Sequence, residues 1–134
     1  MKFLLALFVF ASLHHQTYSY GNYREHIPNG HKVEHPCKPG EIIGGVGHVD
    51  MSGGGRRNNF GLDFARYRTW DKLCPLDSDR DGFTNGEELG DPRCVWKMGA
   101  EPERADHITH PGVCTPFDSE ICRLQNICGV SPTT

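Results

Sequence analysis

The sequence DSDRDGFTNGEE, residues 77–88, organises the rest of this chain. Its three aspartates stand at alternate positions, Asp77, Asp79 and Asp81, so their carboxylates can converge on one point if the backbone curls around it. Gly82 falls where such a loop must bend sharply, and Glu88 falls at the twelfth position, where calcium takes a bidentate carboxylate. The spacing therefore predicts a calcium-binding loop of the EF-hand type.

Each predicted ligand follows from the preference of calcium for six to eight oxygen atoms. We expect side-chain oxygens from the three aspartates, a backbone carbonyl from Phe83, a direct or water-mediated contact from Asn85, and closure of the shell by Glu88. The alternative is a solvated acidic turn without a metal, since such turns are common on protein surfaces. We favour calcium because carboxylates packed this closely repel one another unless a cation lies between them.

The segments around the loop predict an isolated site and not a pair of EF-hands. Apolar residues recur every three or four positions before it and predict one main helix over about residues 61–73. After the loop, Gly90-Asp91-Pro92 stops any helix after about one turn. The interrupted run Glu41–Val49 predicts a short or bulged strand. We therefore expect a small, disulfide-rich α+β fold, largely irregular, with a few short strands and one structural calcium ion.

The first part of the chain has the features of a secretory signal peptide. Lys2 precedes the apolar run Phe3–Leu13, which is too short to span a bilayer, and small residues stand before Tyr20. We predict a signal peptide at residues 1–19 and a single secreted domain at residues 20–134, frayed after about residue 129. The formal net charge of −3 argues against nucleic acid or an anionic membrane as partner, and no motif indicates a small-molecule substrate.

Six cysteines in a small secreted chain predict a disulfide framework. They are Cys37, Cys74, Cys94, Cys114, Cys122 and Cys128. We expect a Cys74–Cys94 disulfide because these two residues bracket the acidic loop, and a bond from Cys37 to a C-terminal cysteine, with Cys122 preferred. Zinc is a weaker alternative because the chain has no C-x-x-C pair.

Three histidines raise a second metal hypothesis. His48, His107 and His110 would form a zinc or copper site, and a small metalloenzyme, if the fold brought them together. The simpler interpretation is that they bond to backbone groups in a loop-rich domain. No carboxylate stands beside an evident nucleophile, so we predict that the protein is not an enzyme.

A set of short motifs in one order resembles the temptin family, secreted water-borne pheromone proteins of molluscs. The motifs are IPNG at residues 27–30, GVGH at 45–48, GGG at 53–55, FGLDF at 60–64, ELGDP at 88–92, CVW at 94–96 and HPGVC at 110–114. The resemblance implies a non-enzymatic protein that binds attractin-like secreted proteins in a complex that attracts conspecifics. A secreted structural or extracellular-matrix calcium-binding protein is the alternative, because a domain of one fold can be reused.

Overall fold

A computed structural model describes residues 20–125 and residue 128 of the chain. The elements are a 3-10 helix Tyr20–His26, strands β1 Glu34–His35 and β2 Lys38–Ile42, helices α1 Asn59–Tyr67, α2 Trp70–Leu73 and α3 Asn85–Leu89, and a 3-10 helix Arg123–Gln125. Most of the described chain is turn and loop, which confirms a small, largely irregular fold with one main helix. The predicted signal peptide and the predicted frayed tail lie outside the described residues.

The sheet is a two-stranded antiparallel hairpin with a bulge after Glu34. The strand predicted over Glu41–Val49 ends at Ile42, and this part of the prediction is wrong. Gly44 and Gly45 both donate backbone hydrogen bonds to the carbonyl of Met51, at 3.0 and 2.8 Å. These bonds turn the chain back on itself, so a compact loop replaces the strand. Among the described residues, no helix is both long and apolar enough to cross a bilayer.

The main helix is shorter than the sequence pattern predicts. Helix α1 begins after Asn58, whose side chain accepts the N–H of Gly61 at 2.9 Å, and it ends at Tyr67. Arg68 then adopts a left-handed conformation with φ of 61°, and its N–H caps the carbonyl of Phe64 at 2.9 Å. The predicted helix over residues 61–73 is therefore two helices, because the backbone turns at Arg68 while the apolar periodicity continues into α2.

The core is a single apolar cluster that the loops wrap around. Its buried members are Ile27, Val33, Ile43, Val46, Phe60, Trp70, Leu73, Cys74 and Leu89. Polar side chains tie the surrounding loops to it. The amide of Asn29 donates to the carbonyls of Leu89 and Arg104 at 2.8 and 2.7 Å, and the amide of Asn58 donates to those of Val46 and His48. These bonds satisfy backbone groups that lie outside helices and strands.

Asp91 is a fully buried carboxylate that joins α2 to the segment after α3. One oxygen accepts the indole N–H of Trp70 at 2.7 Å and the backbone N–H of Trp96 at 3.0 Å, and the other accepts the N–H of Val95 at 3.0 Å. From the sequence, Asp91 is predicted only to belong to the segment that ends the helix after the loop. Its contacts show that it holds α2 against the segment that follows α3.

The six cysteines form three disulfides, Cys37–Cys128, Cys74–Cys94 and Cys114–Cys122. The Cys74–Cys94 prediction is confirmed, and the Cys37–Cys122 prediction is wrong. The segment between Cys114 and Cys122 folds back through backbone bonds from Ser119 to Pro116 and from Cys122 to Ser119, both 3.1 Å. This turn brings Cys122 to Cys114, so Cys128 remains as the partner of Cys37.

Removal of the Cys114–Cys122 disulfide by a double serine substitution is expected to lower the free energy of unfolding by about 2.5 kcal/mol, from the entropy of a short closed loop. The same change at Cys74 and Cys94 should cost more, about 3.3 kcal/mol, because the sequence separation there is 20 and not 8. Urea denaturation of the oxidised proteins measures both. The reverse order of the two losses would contradict the prediction.

Candidate metal site

The acidic loop of residues 77–88 joins α2 to α3 and is closed at its base by backbone hydrogen bonds. The N–H of Asn85 donates to the carbonyl of Leu76 at 2.7 Å, and the N–H of Gly86 donates to that of Cys74 at 2.9 Å. A Cβ atom at Gly86 would lie 2.3 Å from the sulfur of Cys74, so only glycine permits this approach. The Cys74–Cys94 disulfide thus supports the base of the loop directly.

The three alternating aspartates converge as their spacing predicts. One carboxylate oxygen from each of Asp77, Asp79 and Asp81 lies within 4.8 Å of the other two. The N–H of Asp81 donates to Asp77 at 3.2 Å and to Asp79 at 3.3 Å, and the N–H of Gly82 donates to Asp77 at 3.0 Å. Gly82 has a φ of +98°, which glycine adopts without strain at this sharp bend.

Two buried carboxylate oxygens of the loop have no hydrogen-bond partner among the described residues. Asp79 is 1% exposed, and its Oδ2 atom is one of them. Glu88 is 3% exposed; its Oε1 accepts the hydroxyl of Thr109 at 3.0 Å, and its Oε2 is the other. Buried carboxylate oxygens are normally hydrogen-bonded or bound to a metal, so these two atoms are the strongest sign of a cation site.

The electrostatics of the loop disfavour several bare negative charges. Burial, together with the neighbouring carboxylates of Asp81 and Asp77, raises the pKa of Asp79 to about 8. Burial likewise raises the pKa of Glu88 to about 10, with the charges of Asp79 and Asp81 adding to the effect. Glu88, which belongs to α3, is therefore close enough to the aspartates to interact with their charges. A divalent cation would favour the ionised form of every one of these groups.

Asn85 and Phe83 have contacts that bear on their predicted roles as ligands. The amide nitrogen of Asn85 donates to the carbonyl of Leu73 at 2.8 Å and to the hydroxyl of Ser78 at 2.9 Å, and the residue is completely buried. Its Oδ1, the atom that would bind a cation, accepts the backbone N–H of Ser78 at 3.4 Å, so ligation by Asn85 remains a prediction. The N–H of Phe83 donates to Asp81 at 2.9 Å, and its carbonyl remains a predicted ligand.

The loop is also held from outside by residues that sequence reasoning missed. Thr115 donates its N–H and its hydroxyl to Asp81 at 3.1 and 3.4 Å, and Gln125 donates to the carbonyl of Asp79 at 3.5 Å. Asp63 in α1 accepts the hydroxyl of Ser78 at 2.8 Å. These contacts come from distant parts of the chain and have no spacing signal. They connect the acidic loop to the segment that the Cys114–Cys122 disulfide shapes.

The three histidines of the second metal hypothesis are not brought together. Among the described residues, the group suited to hold a metal consists of the three aspartates and includes no histidine. His107 is exposed near Asp106, whereas His110 is buried and its Nδ1 accepts the N–H of Gly112 at 3.0 Å. Burial lowers the pKa of His110 to about 4, so its ring is neutral. The hypothesis of a site at His48, His107 and His110 is therefore wrong.

Comparison with known proteins agrees with the resemblance carried by the motifs. A family model described as Temptin C-terminal matches residues 17–113. Temptin of Aplysia californica is 48% identical over 96 residues, which cover 70% of this chain and 77% of that protein. No solved structure matches the chain. The match contains the acidic loop and the buried Asp91, so the site described above lies within the shared region.

Proposed function

This chain belongs to the temptin family, and on that premise we propose that it is a secreted, pheromone-type signalling protein that binds other secreted proteins. The partners we propose are attractin-like proteins in a water-borne attractant complex, and we propose no catalytic role. The three disulfides support a secreted protein because such bonds persist in oxidising compartments. They are also what a domain with so small a core requires for stability.

We further propose that a calcium ion bound by residues 77–88 stabilises this fold. The buried, unpartnered oxygens of Asp79 and Glu88 carry the proposal, and the convergence of the three aspartates supports it. The residues that would hold the ion are Asp77, Asp79, Asp81, Glu88 and the carbonyl of Phe83, with Asn85 through water. When bound, calcium supplies positive charge that offsets the repulsion between the carboxylates. We propose a structural role for the ion, because the residues that would hold it lie between the Cys74–Cys94 disulfide and the short helix α3.

Calcium titration followed by thermal unfolding tests the ion. With an affinity of about 10⁻⁴–10⁻³ M, as in extracellular modules, about 10 mM calcium should stabilise the oxidised protein by roughly 1.4–2.7 kcal/mol. Glu88→Gln should abolish that gain. In calcium-free buffer the same variant should be at least as stable as the wild type, because the folded wild type must keep Glu88 protonated at neutral pH, which costs free energy, whereas glutamine is neutral in both states.

The matched control is Glu120→Gln, which changes the same chemical group at an exposed position outside the loop. It should respond to calcium as the wild type does. A wild-type melting temperature that does not rise with calcium would show that the loop is only an acidic turn. Equal instability of Glu88→Gln with and without calcium would instead mark a misfolded variant, and Asp79→Asn then replaces it in the test.

The signalling proposal is tested by capture of partners and by behaviour. The tagged, oxidised protein should retain secreted attractin-like proteins from the water or tissue of the animals that release it, and the reconstituted mixture should attract conspecifics. Recovery of extracellular-matrix proteins alone, with no behavioural response, would overturn the proposal and favour the matrix alternative.

A further inference from the structure

A cleft of about 940 Å³ lies beside the start of α1, outside the acidic loop. One wall is the loop that contains Val49, the glycines at positions 54 and 55, Arg56 and Arg57. Asn59 and Leu62 of the helix also line the cleft. The two glycines expose backbone without side chains, so an extended chain can approach closely there. The volume lies within the range of sites that bind several residues of a ligand.

The charge in this cleft is opposite to that of the whole protein. Arg56 and Arg57 are both exposed, and within the described part of the chain neither side chain forms an ion pair. Among the described lysines and arginines, only Lys38 and Arg93 form ion pairs, so what distinguishes Arg56 and Arg57 is that they are adjacent and line one cleft. Because the formal net charge is −3, two adjacent unpaired guanidinium groups form a local cationic surface.

Two more features of the cleft add to its positive potential and give it apolar walls. Helix α1 starts at Asn59, and the positive end of its dipole points toward the cleft. Val49 and Leu62, which both line the cleft, are apolar but 49% and 55% exposed. The Nδ1 atom of His48, another lining residue, is buried and lacks a hydrogen-bond partner among the described residues. A ligand that matches this surface carries negative charge and an apolar side chain together.

We propose that this cleft binds an acidic peptide segment of a protein partner, whose carboxylates contact Arg56 and Arg57 while an apolar side chain lies between Val49 and Leu62. The inference rests on the proposed function in that it gives the chemistry of the partner segment. Guanidinium groups suit an acidic ligand because two of their planar N–H donors can bond to the two oxygens of one carboxylate. A free inorganic anion would make no contact with the apolar side chains of the cleft. A second copy of this chain is disfavoured because both copies carry a net negative charge and repel each other.

The test uses the mature, oxidised, calcium-saturated protein and three fluorescent eight-residue peptides. One alternates glutamate with leucine, one replaces glutamate by glutamine, and one replaces leucine by serine. By anisotropy, the first should bind at least about tenfold more tightly than either of the others, and its affinity should fall in about 0.5 M salt, where charge attraction is screened.

Variants then assign the binding to the cleft. Arg56→Glu with Arg57→Glu should weaken the glutamate–leucine peptide by at least about tenfold, and the neutral Arg56→Gln with Arg57→Gln by a smaller factor. Lys72→Glu with Lys97→Glu changes the net charge equally at exposed positions outside the cleft and should stay within about twofold of the wild type. All variants should melt as the wild type does.

Each remaining outcome decides the proposal. Unchanged binding by both arginine double variants would overturn it. Equal binding of the leucine and serine peptides, with full competition by inorganic phosphate, would show a simple anion site. Concentration-dependent dimerisation that both arginine variants abolish would identify a second copy as the occupant. If the variant Arg56→Glu with Arg57→Glu still captures secreted partners as the wild type does, the cleft is not the binding site, but the proposed function stands. If the acidic peptide binds but no secreted partner is captured, the cleft is a peptide site, but the proposed function is contradicted.

Discussion

Replacement of Asp91 with alanine is expected to lower the free energy of unfolding by about 3–5 kcal/mol, the range for a broken buried polar network. The carboxylate is 0% exposed and accepts hydrogen bonds from the indole of Trp70 and from the backbone of Val95 and Trp96. Its removal leaves the buried indole donor of Trp70 and two part-buried backbone donors without acceptors, and an unsatisfied buried donor costs about 1–3 kcal/mol. Urea denaturation of the oxidised protein measures the loss.

Two other variants show whether this loss comes from the hydrogen bonds of Asp91. Asp91→Asn keeps one acceptor oxygen, so its stability should fall between those of the wild type and Asp91→Ala. Asp118→Ala removes an exposed carboxylate and should change stability by less than about 0.5 kcal/mol. A loss below about 1 kcal/mol for Asp91→Ala would contradict the assignment of Asp91 as a structural link.

In the absence of divalent cations, the stability of the protein is expected to fall as the pH rises from about 5 to 8. The raised pKa values of Asp79, about 8, and Glu88, about 10, mean that the folded protein keeps protons that the unfolded chain has lost above pH 5. Stability from a raised carboxyl pKa is fully present below the unfolded value and is lost as the pH approaches the folded value. The slope should reach up to about 1.4 kcal/mol per pH unit for each such group.

Saturating calcium should change this pH dependence because the ion takes the place of the bound protons. Its stabilising effect should then grow with pH, since protons and calcium compete for the same oxygens. The double variant Asp79→Asn with Glu88→Gln lacks both of these groups, so its stability should no longer fall with pH, with or without calcium. It should instead rise up to about pH 6.5, because burial lowers the pKa of His110 to about 4 and the unfolded chain then binds a proton that the folded protein does not. Thermal melts at several pH values measure the difference, and a wild-type profile that calcium leaves unchanged would count against the proposed ion.

The features that the sequence predicted well depend on local spacing. The alternation of aspartates from Asp77 to Asp81 correctly predicted that the three carboxylates lie together, because a tight turn restricts the orientations of neighbouring side chains. The Cys74–Cys94 bond follows from the same closeness, since the two residues stand at the ends of one loop. The apolar periodicity located α1 and α2 but concealed the turn at Arg68, because no glycine marks that left-handed residue.

The features that the sequence did not predict depend on contacts between distant segments. Thr115 bonds to Asp81 across 34 residues, and Asp91 bonds to Trp70 across 21. No sequence pattern identifies either hydrogen bond, because threonine and aspartate are common in loops and their partners are set only by the folded structure. The choice of Cys128 over Cys122 for Cys37 was hidden for the same reason: it depends on a local turn after Cys114 that has no strong sequence signal.

The Cys37–Cys128 disulfide makes the chain between these residues a covalent ring with a sequence separation of 91, and the other two disulfides lie inside it. One cut by a protease anywhere within the ring therefore opens a loop without releasing a fragment. The two new ends stay close together, so the nicked domain can keep its packing, as long loops tolerate opening at small entropic cost. A first proteolytic cut within the ring should therefore leave the domain as one covalent piece.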